Sequence, residues 1–494
     1  MSLFWWLVTG AVAVLIVAKY ISHRRNPLNK FPGPLFCAIS DIPYAYHSMV
    51  GDHPRWIAAL HDKYGPVVHI APKELAFITD SSIRDIYGYR KGHQVFTKSG
   101  AYDAAAFTAQ TRSVVNERDP VEHARMRKML APAFSDRSLR EQWPLVTRVC
   151  DTFMAEIGKH ARDRRTVDLA KYFSLLTFDV ITNLALGESF GSIESGKVHP
   201  WQTFFMNGAR AMGDAIVVLR FPVLKNLLIA LQPPQMRAMI KELKMHEAFT
   251  VELVRKRQES QIDRPDIIGR ILQRQEVEET EFSNVFIAAQ LSDVVIAGTD
   301  TTATALDSAN YFLMKSPEAM QKLRDEIRGR FKRYEDITPA TTADLPYLNA
   351  VIEEGLRLFS PVAWPPSRIV PPGGDTVDGH FLPGGTWVST GYYAAPHSAS
   401  NFKDPYEFHP ERWLSNNPTD NLDASQPFGV GTRACIGKQL ALTEIRLIMA
   451  KLHYKYDIEA VDKNFDWVGN AVFRLLWDKP ALMVTVRERE VVSV

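Results

Sequence analysis

The sequence predicts a mainly α-helical protein with small β-sheets (an α+β fold), preceded by one N-terminal transmembrane helix. Apolar residues recur at three- and four-residue spacing from about 120 to 335, which is the period of a helix. Short β-like runs flank that region. Residues 1–18 contain no charged side chain and are followed by basic residues, as in a membrane anchor.

The bulk composition is globular and argues against some classes of function. The chain has 494 residues, of which 46% are hydrophobic and 23% charged, so it can bury a large core. A formal net charge of only +2 argues against a nucleic-acid-binding surface. The three cysteines, Cys37, Cys150 and Cys435, are too few for a disulfide framework and favour a reducing compartment.

The first element is the apolar segment 1–21, which we interpret as a membrane anchor. A helix needs about 20 residues to cross a bilayer, and a lysine near its end can extend to the headgroups. The basic residues Lys19, Arg24, Arg25 and Lys30 follow the apolar run, which predicts a cytosolic body. A cleaved signal peptide, which carries its basic residues first, and a soluble N-terminal helix are the alternatives.

A basic and proline-rich spacer, residues 22–34, follows the anchor and precedes one large domain, residues 35–494. The prolines of "NPLNKFPGP" fix their own backbone angles and restrain their neighbours, so we expect a stiff spacer. No Gly/Ser-rich linker or internal repeat divides the large domain. Strands are predicted at "PVVHIAP" and "ELAFITD", and again at "SRIV", "TVDGHFL" and "TWVSTGYY".

The longest predicted helix begins after its N-cap, Ser283, and ends at Pro317. Its centre, "AGTDTT", holds Gly298, Asp300 and Thr301, which are poor helix formers. One interpretation is a bent, partly buried helix whose hydroxyls bond to the preceding turn. The other is a groove in which Gly298 admits a flat ligand while Asp300 and Thr301 move protons.

A charge pair in an otherwise apolar segment predicts a buried clamp. Glu354 and Arg357 lie three residues apart on a predicted helix, so they share a face. Arg412 follows in "FHPERW". A carboxylate held between two guanidinium groups would form a rigid buried network, because buried ions are tolerated only when they are paired. A solvated pair on the surface is the alternative.

Cys435 lies in the glycine-rich loop "FGVGTRACIGK", just before a predicted helix. A thiolate there is stabilised by helix amides, although a small buried hydrophobe is the simpler interpretation. One cysteine cannot complete a zinc site, and the absence of C-x-x-C argues against an iron–sulfur cluster. A cysteine nucleophile would need a histidine base, and none is adjacent in sequence. An axial thiolate ligand of haem iron remains.

These motifs resemble those of the cytochrome P450 superfamily. F-x-x-G-x-R-x-C-x-G, at residues 428–437, resembles its haem-thiolate loop, and A-G-x-D-T-T resembles its oxygen-activating helix. Glu354, Arg357 and Arg412 resemble its E-x-x-R and P-E-R clamp. The motifs occur in the family's order, from "FPGP" to about residue 485. The anchor and spacer resemble microsomal members, and the overall character resembles fungal members that oxidise secondary metabolites.

The resemblance implies a cytochrome P450 fold and a haem b (iron protoporphyrin IX) with Cys435 as the axial ligand. Phe428 would cover the sulfur, with plain packing as the alternative. His123 stands where the family often has tryptophan, and an exposed basic helix is the alternative for His123 and Arg127. The residues expected to contact haem or its propionates are Phe428, Arg433, His123, Arg127, Arg368 and Gly298.

The resemblance also implies a monooxygenase that uses O₂ and electrons from NADPH. No nicotinamide or flavin motif is present, so a membrane-bound NADPH-cytochrome P450 reductase is the implied donor, with cytochrome b5 as a second candidate. Thr301 and Asp300 would deliver protons. The implied location is the endoplasmic reticulum membrane, with the catalytic domain facing the cytosol. A basic face for the reductase, or ordinary solvated charges, is predicted at Lys438, Arg446, Lys451, Arg125 and Lys128.

By position in the family, five segments would line the pocket for a small-to-medium apolar substrate: 101–113, 204–218, 288–297, 362–364 and 470–473. Residues 221–234 are apolar enough to dip into a membrane surface; packing in the core or along a channel is the alternative. Two other functions remain open. One is a reductase-independent peroxide isomerase or dehydratase of the same fold, against which Asp300 and Thr301 argue. The other is a non-enzymatic membrane haem protein.

Overall fold

Helices form most of the body of the protein. The computed structural model describes residues 24–105, 111–260, 264–278, 282–414 and 419–489, so the predicted anchor lies outside the described residues. Many helices begin with proline, whose missing N–H has no helical partner at that position. The described α-helices are Leu35–Ile39, Ile42–Val50, His53–Tyr64, Asp80–Tyr87, Pro120–Leu130, Asp136–Arg162, Leu169–Leu186, Ser192–Ser195, Pro200–Leu219, Pro222–Leu231, Pro234–Glu259, Ile267–Glu278, Asn284–Lys315, Pro317–Arg330, Pro339–Thr342, Pro346–Leu358 and Lys438–Lys455.

The strands are short and form small sheets. A five-stranded sheet has the order β1-β2-β8-β5-β3, and a three-stranded sheet has the order β4-β12-β9. Two hairpins, β6-β7 and β10-β11, complete the described strands. The strand predictions are confirmed at β1, β2 and β5–β8. The strands are Val67–Ala71 (β1), Glu74–Phe77 (β2), Thr97–Lys98 (β3), Val167–Asp168 (β4), Arg368–Ile369 (β5), Asp375–Val377 (β6), His380–Leu382 (β7), Trp387–Thr390 (β8), Tyr456–Ala460 (β9), Val472–Arg474 (β10), Leu476–Asp478 (β11) and Met483–Glu488 (β12).

The helix Asn284–Lys315, here called the central helix, passes through the core. The Ser283 hydroxyl accepts a 3.2 Å hydrogen bond from the backbone N–H of Phe286, so the predicted N-cap is confirmed. The helix ends at Lys315, and Pro317 begins the next helix, as the sequence predicts. Most of its residues are buried, because helices and the C-terminal strands pack around it.

The neighbour of the central helix is Leu169–Leu186. Among the described residues this is the helix long and apolar enough to cross a membrane, yet 78% of it is buried within the protein. It packs along the central helix and holds Phe173, Phe178 and Leu184 in the main hydrophobic cluster. Its apolar character is therefore that of a core helix.

The core has two parts. The larger cluster surrounds the central helix and includes side chains from the helices on both sides of it. A smaller cluster lies on the five-stranded sheet and contains Leu75, Phe77 and Val388, each fully buried. The loop that carries Cys435 lies close to this sheet, since Tyr392 and Val430 pack against the smaller cluster.

Candidate active site

The loop before the helix Lys438–Lys455, here called the proximal helix, places Cys435. Gly429 and Gly431 adopt φ values of 66° and 74°, the left-handed region that favours glycine. A Cβ on Gly431 would collide with the backbone carbonyl of Tyr87, so no other residue fits there. The Cys435 N–H donates a 2.8 Å hydrogen bond to the carbonyl of Phe428, which closes the loop.

The Cys435 side chain is accessible and lies at the N-terminal end of the proximal helix. Burial by surrounding protein raises the pKa of its thiol, whereas backbone N–H groups of Gly437 and Lys438 and the charge of Arg127 act in the opposite direction. Such donors stabilise sulfur once it is a thiolate. The loop therefore presents one sulfur with amide donors behind it, as an axial metal ligand requires.

Basic residues from three parts of the chain gather beside this loop. Arg433 donates to the backbone carbonyls of Glu117 (2.6 Å) and Arg118 (3.0 Å), and Arg127 donates to that of Ala434 (2.7 Å). The predicted His123 and Arg127 do share the helix Pro120–Leu130, with His123 buried.

Arg368, on β5, is also buried beside this group, and its Nη1 has no hydrogen-bond partner within the described part of the chain. Lys98, on β3, joins the group and was not found from the sequence. Its Nζ donates to the carbonyls of Val114 (3.2 Å) and Val115. Lys98 comes beside Arg368 through the pairing of β3 with β5. These strands are far apart in the chain and two residues long, so no local sequence pattern indicates the contact.

The charges in this group repel one another. Burial, with the charges of Arg433 and Arg368, lowers the pKa of Lys98 to about 6. Burial and Arg368 lower the pKa of Arg433 to about 10, and burial and Arg433 lower that of His123 to about 3. A group of buried donors with this much positive charge is stabilised by an anionic partner.

This donor set fits haem. Cys435 offers one soft ligand for iron, and the partnerless Arg368 nitrogen with Arg433, Lys98 and His123 offers donors for the two propionate carboxylates. The roles of Phe428 and Arg127 toward that group stay predictions. Phe428 is half-buried, with Lys438 Nζ 5.5 Å from its ring centroid.

One turn at the centre of the central helix is partly accessible. Ala297 is exposed, Ile296, Gly298 and Thr301 are half-buried, and Thr299, Asp300 and Thr302 are buried. The Thr301 hydroxyl donates a 2.5 Å hydrogen bond to the carbonyl of Ala297, four residues earlier. The hydroxyl bonds to the preceding turn, as the first interpretation predicts, and the groove with its proton-moving pair stays a prediction.

Gly298 has a different neighbour from the one expected. An added Cβ would lie 2.7 Å from Cγ1 of Ile181 on the helix Leu169–Leu186. The geometry gives this glycine a further role, because it admits the neighbouring helix; its contact with haem stays a prediction. Close helix packing is a common reason for glycine inside a buried helix.

Asp300 is buried on another face of the central helix. Its Oδ1 lies 3.4 Å from Nζ of Lys479, whose side chain is only 9% exposed. Its Oδ2 has no hydrogen-bond partner among the described residues. Lys479, which comes from the C-terminal segment far away in the chain, was not found from the sequence.

Glu354 lies between the two arginines of the expected clamp. In the helix Pro346–Leu358, here called the clamp helix, Arg357 Nε and Nη2 each donate a 2.8 Å bond to a different oxygen of Glu354. Arg412 Nε adds a 3.0 Å bond. Burial would raise the pKa of Glu354, but the hydrogen bonds and charges of both arginines outweigh it and lower the pKa. The three side chains are almost fully buried, which excludes the solvated-pair alternative.

The clamp extends beyond the motif residues. Arg357 donates to the carbonyls of Pro396 (2.8 Å), Pro405 (2.7 Å) and Glu407 (3.1 Å). Arg412 pairs with Asp420 at 2.6 Å. These partners have no motif spacing, so only the structure identifies them. The network fixes the chain that leads to the Cys435 loop.

Three of the five expected pocket segments meet. Val217, Trp364 and Phe473 line one small cavity of about 30 Å³. Trp364 also lies 5.6 Å from the ring of Tyr102, in a fourth segment. Part of that segment, residues 106–110, lies outside the described residues. Apolar side chains make up most of the cavity lining, beside the polar Ser48, His53, Asp214 and Arg474.

The predicted basic docking face is wrong at Lys451. That side chain is buried, pairs with Asp151 and lies 4.3 Å from the Tyr334 ring centroid, because the proximal helix turns it into the core. Arg446 is half-buried and donates 2.6 Å to Asn349. Arg125 is exposed and pairs with Glu122 at 2.9 Å.

The apolar segment 221–234 forms the helix Pro222–Leu231, in which no residue is buried. Val223 and Leu231 are 83% and 68% exposed. The core-packing alternative is therefore wrong for this helix.

The comparisons with known proteins agree with the site. The family model for cytochrome P450 matches residues 33–470. Cytochrome P450 monooxygenase ORF11 from Penicillium roqueforti is 42% identical over 459 residues, which cover 92% of this chain and 95% of that protein. Cytochrome P450 monooxygenase BipB from Cochliobolus sativus is 37% identical over 494 residues, which cover 98% and 97%. The chain therefore belongs to the cytochrome P450 family and is a cytochrome P450 monooxygenase.

Proposed function

We propose that this monooxygenase binds haem b through Cys435 and inserts one oxygen atom from O₂ into a small-to-medium apolar substrate, by hydroxylation, epoxidation or a related oxidation. The observation that carries the proposal is the placement of Cys435 before the proximal helix beside a group of basic side chains that need an anionic partner. Its fungal relatives support a role in secondary metabolism.

Haem, when bound, supplies O₂ activation and oxygen transfer to the substrate. Cys435 would hold it from one side, while Arg433, Arg368, Lys98 and His123 would pair with its carboxylates. These contacts would hold the haem beside the Cys435 loop. The mostly apolar lining around Trp364 and Phe473 would orient the substrate and exclude bulk water.

Proton delivery is assigned to Asp300 and Thr301. The Thr301 hydroxyl donates to the Ala297 carbonyl, so its oxygen can accept a hydrogen bond, and rotation of the hydroxyl would let it donate toward the accessible side of the helix. Asp300, whose buried Oδ2 has no hydrogen-bond partner in the part of the chain that the structure describes, would take protons from solvent. This pair favours O₂ chemistry over the peroxide isomerase alternative, which needs no proton supply.

Electrons would come from NADPH through a membrane-bound reductase, with cytochrome b5 as a second candidate donor. Lys438, whose Nζ lies 5.5 Å from the Phe428 ring centroid, and the exposed Arg125 are the residues that support a docking surface. Anchoring in the endoplasmic reticulum membrane by residues 1–21 is part of the proposal. The exposed apolar side chains of Pro222–Leu231 support a second membrane contact.

The test is expression with a fungal reductase in membranes. A difference spectrum of the dithionite-reduced protein with CO should show the band of a thiolate-ligated haem. NADPH consumption with ¹⁸O₂ should place one labelled atom in the product. A thiolate band with product formation but no need for NADPH would establish the isomerase alternative instead. Metabolite profiling after deletion of the gene would supply the candidate substrates.

A further inference from the structure

A polar pocket reaches Asp300 from the protein surface. Its volume is about 150 Å³, and its walls come from the helices Leu169–Leu186 and Pro200–Leu219 and from the hairpin β10-β11. At its mouth, Arg210 and Asp478 form a 2.6 Å ion pair, and their side chains are 48% and 46% exposed. Asp300 and Lys479, which are almost fully buried, also line it.

At the inner end one cation faces two carboxylates. Lys479 Nζ lies 3.4 Å from Oδ1 of Asp300 and 3.0 Å from Oδ2 of Asp307, and it donates 2.7 Å to the Thr304 hydroxyl. Asp300, Thr304 and Asp307 share one face of the central helix, because they are four and three residues apart. Within the described chain, Oδ2 of Asp300 and Oδ1 of Asp307 have no hydrogen-bond partner.

The single positive charge of Lys479 cannot balance the negative charges of both Asp300 and Asp307. Burial raises the pKa of Asp307 to about 6; Lys479 lowers it, while Asp300 and Asp168 raise it. Burial lowers the pKa of Lys479, but the charges of Asp300 and Asp307 outweigh that effect and raise it. Lys479 is therefore charged, and this single buried cation faces two buried carboxylates, those of Asp300 and Asp307.

We propose that Lys479 is a positioning residue for proton delivery, which holds Asp300 at the inner end of a solvent-proton path that enters between Arg210 and Asp478. A proton from water in the pocket reaches the free Oδ2 of Asp300 and passes on toward the Thr301 side of the helix. The carboxylate then takes the next proton from the pocket. This inference rests on the proposed function.

The first test compares Lys479→Met and Lys479→Arg with Lys159→Met, a matched change at an exposed lysine. With reductase and NADPH, the ratio of peroxide to water among the oxygen products is measured. General acid–base groups contribute about 10²–10⁴-fold, so water formation should fall roughly tenfold or more in Lys479→Met. Lys479→Arg should restore most of it. An unchanged ratio and pH profile in Lys479→Met would overturn the proposal.

A second variant, Arg210→Ala, opens the mouth and should shift the ratio toward water, opposite to Lys479→Met. Urea unfolding gives a readout without haem. Because Lys479→Met leaves Asp300 and Asp307 without a cation, its free energy of unfolding should fall more steeply from pH 5 to pH 8 than that of the wild type. Equal slopes would also overturn the proposal.

The two proposals fail in different ways. If the wild type forms no oxygenated product with any candidate substrate, the proposed function fails. The peroxide ratio needs no substrate and the unfolding slopes need no haem, so Lys479 is still tested.

Discussion

Glu354 and Arg357 form a bidentate ion pair in which both side chains are fully buried. Both oxygens of Glu354 are also bonded from outside the helix, by Arg412, the His409 N–H and the Trp413 indole. A buried pair of this kind is stable only while every charge keeps its partners.

The first prediction concerns this pair. Glu354→Gln keeps the volume but leaves Arg357 and Arg412 without a counter-charge, so the free energy of unfolding should fall by about 3–5 kcal/mol. Urea denaturation measures it. The matched control is Asp336→Asn, which breaks the exposed pair with Arg333 at the same three-residue spacing and should cause no measurable change. Equal effects would contradict a structural role for the clamp.

The second prediction concerns the ligand. Cys435→Ser should abolish the thiolate band in the CO difference spectrum and the coupled turnover. Because serine replaces the accessible sulfur with a smaller oxygen and the loop is held by glycines and backbone bonds, the apoprotein should keep its free energy of unfolding within about 0.5 kcal/mol. A variant that retains both haem and an unaltered spectrum would refute the assignment.

The third prediction concerns the basic group. Arg368→Gln removes a charge-assisted bond of about 1.5–3 kcal/mol, so the dissociation constant of haem should rise about tenfold to a hundredfold. Removal of haem leaves the positive charges uncompensated, so added phosphate should raise the melting temperature of the apoprotein. That rise should be smaller in Arg368→Gln. An equal rise in melting temperature with phosphate in the wild type and in Arg368→Gln would contradict a role of Arg368 in binding the anionic partner.

The fourth prediction concerns Gly298. Gly298→Ala places a Cβ 2.7 Å from Ile181 and should destabilise the fold by about 1–3 kcal/mol, despite the better helix propensity of alanine. Ile181→Ala should lower the free energy of unfolding less in the Gly298→Ala protein than in the wild type, because it removes the clash. The control is Gly329→Ala, where no described atom lies within 4 Å and a gain of up to about 1 kcal/mol is expected.

The fifth prediction concerns pH. Burial raises the pKa of Glu444 in the proximal helix from its ordinary value to about 8. Its stabilising contribution is therefore present at pH below about 4.5 and is lost as pH rises toward 8, by at most about 1.4 kcal/mol per pH unit. Glu444→Gln should flatten this slope and be more stable than the wild type at pH 8. Urea titrations at pH 5 and 8 decide it.

The sequence predicts what local spacing encodes. Ser283, the Cys435 loop and the Glu354–Arg357 pair are each specified by a few neighbouring residues, so their geometry follows from helix period, glycine conformations and charge burial. The strands at "PVVHIAP" and "TWVSTGYY" follow from β-branched and aromatic runs in the same way.

What the sequence does not predict depends on contacts between distant segments. Lys98 and Lys479 join their clusters only through the pairing of β3 with β5 and the return of the C-terminal segment over the central helix. Lys451 and Lys438 lie on the same helix, but Lys451 lies on the side that faces the core and Lys438 on the exposed side. The neighbour of Gly298 depends on which helix packs there, and no local pattern names Ile181.

The carbonyls of Pro396, Pro405 and Glu407 are bound by a single guanidinium, that of Arg357. The turns between Pro396 and Glu407 are thereby held by side-chain hydrogen bonds, in place of the backbone hydrogen bonds that hold a strand in a sheet. Such a stretch should tolerate insertions poorly, although its conformation resembles that of an ordinary surface loop. Divergence between paralogues should therefore concentrate in the walls around Trp364 and Phe473, so that new substrates can be acquired while the ligand loop keeps its shape.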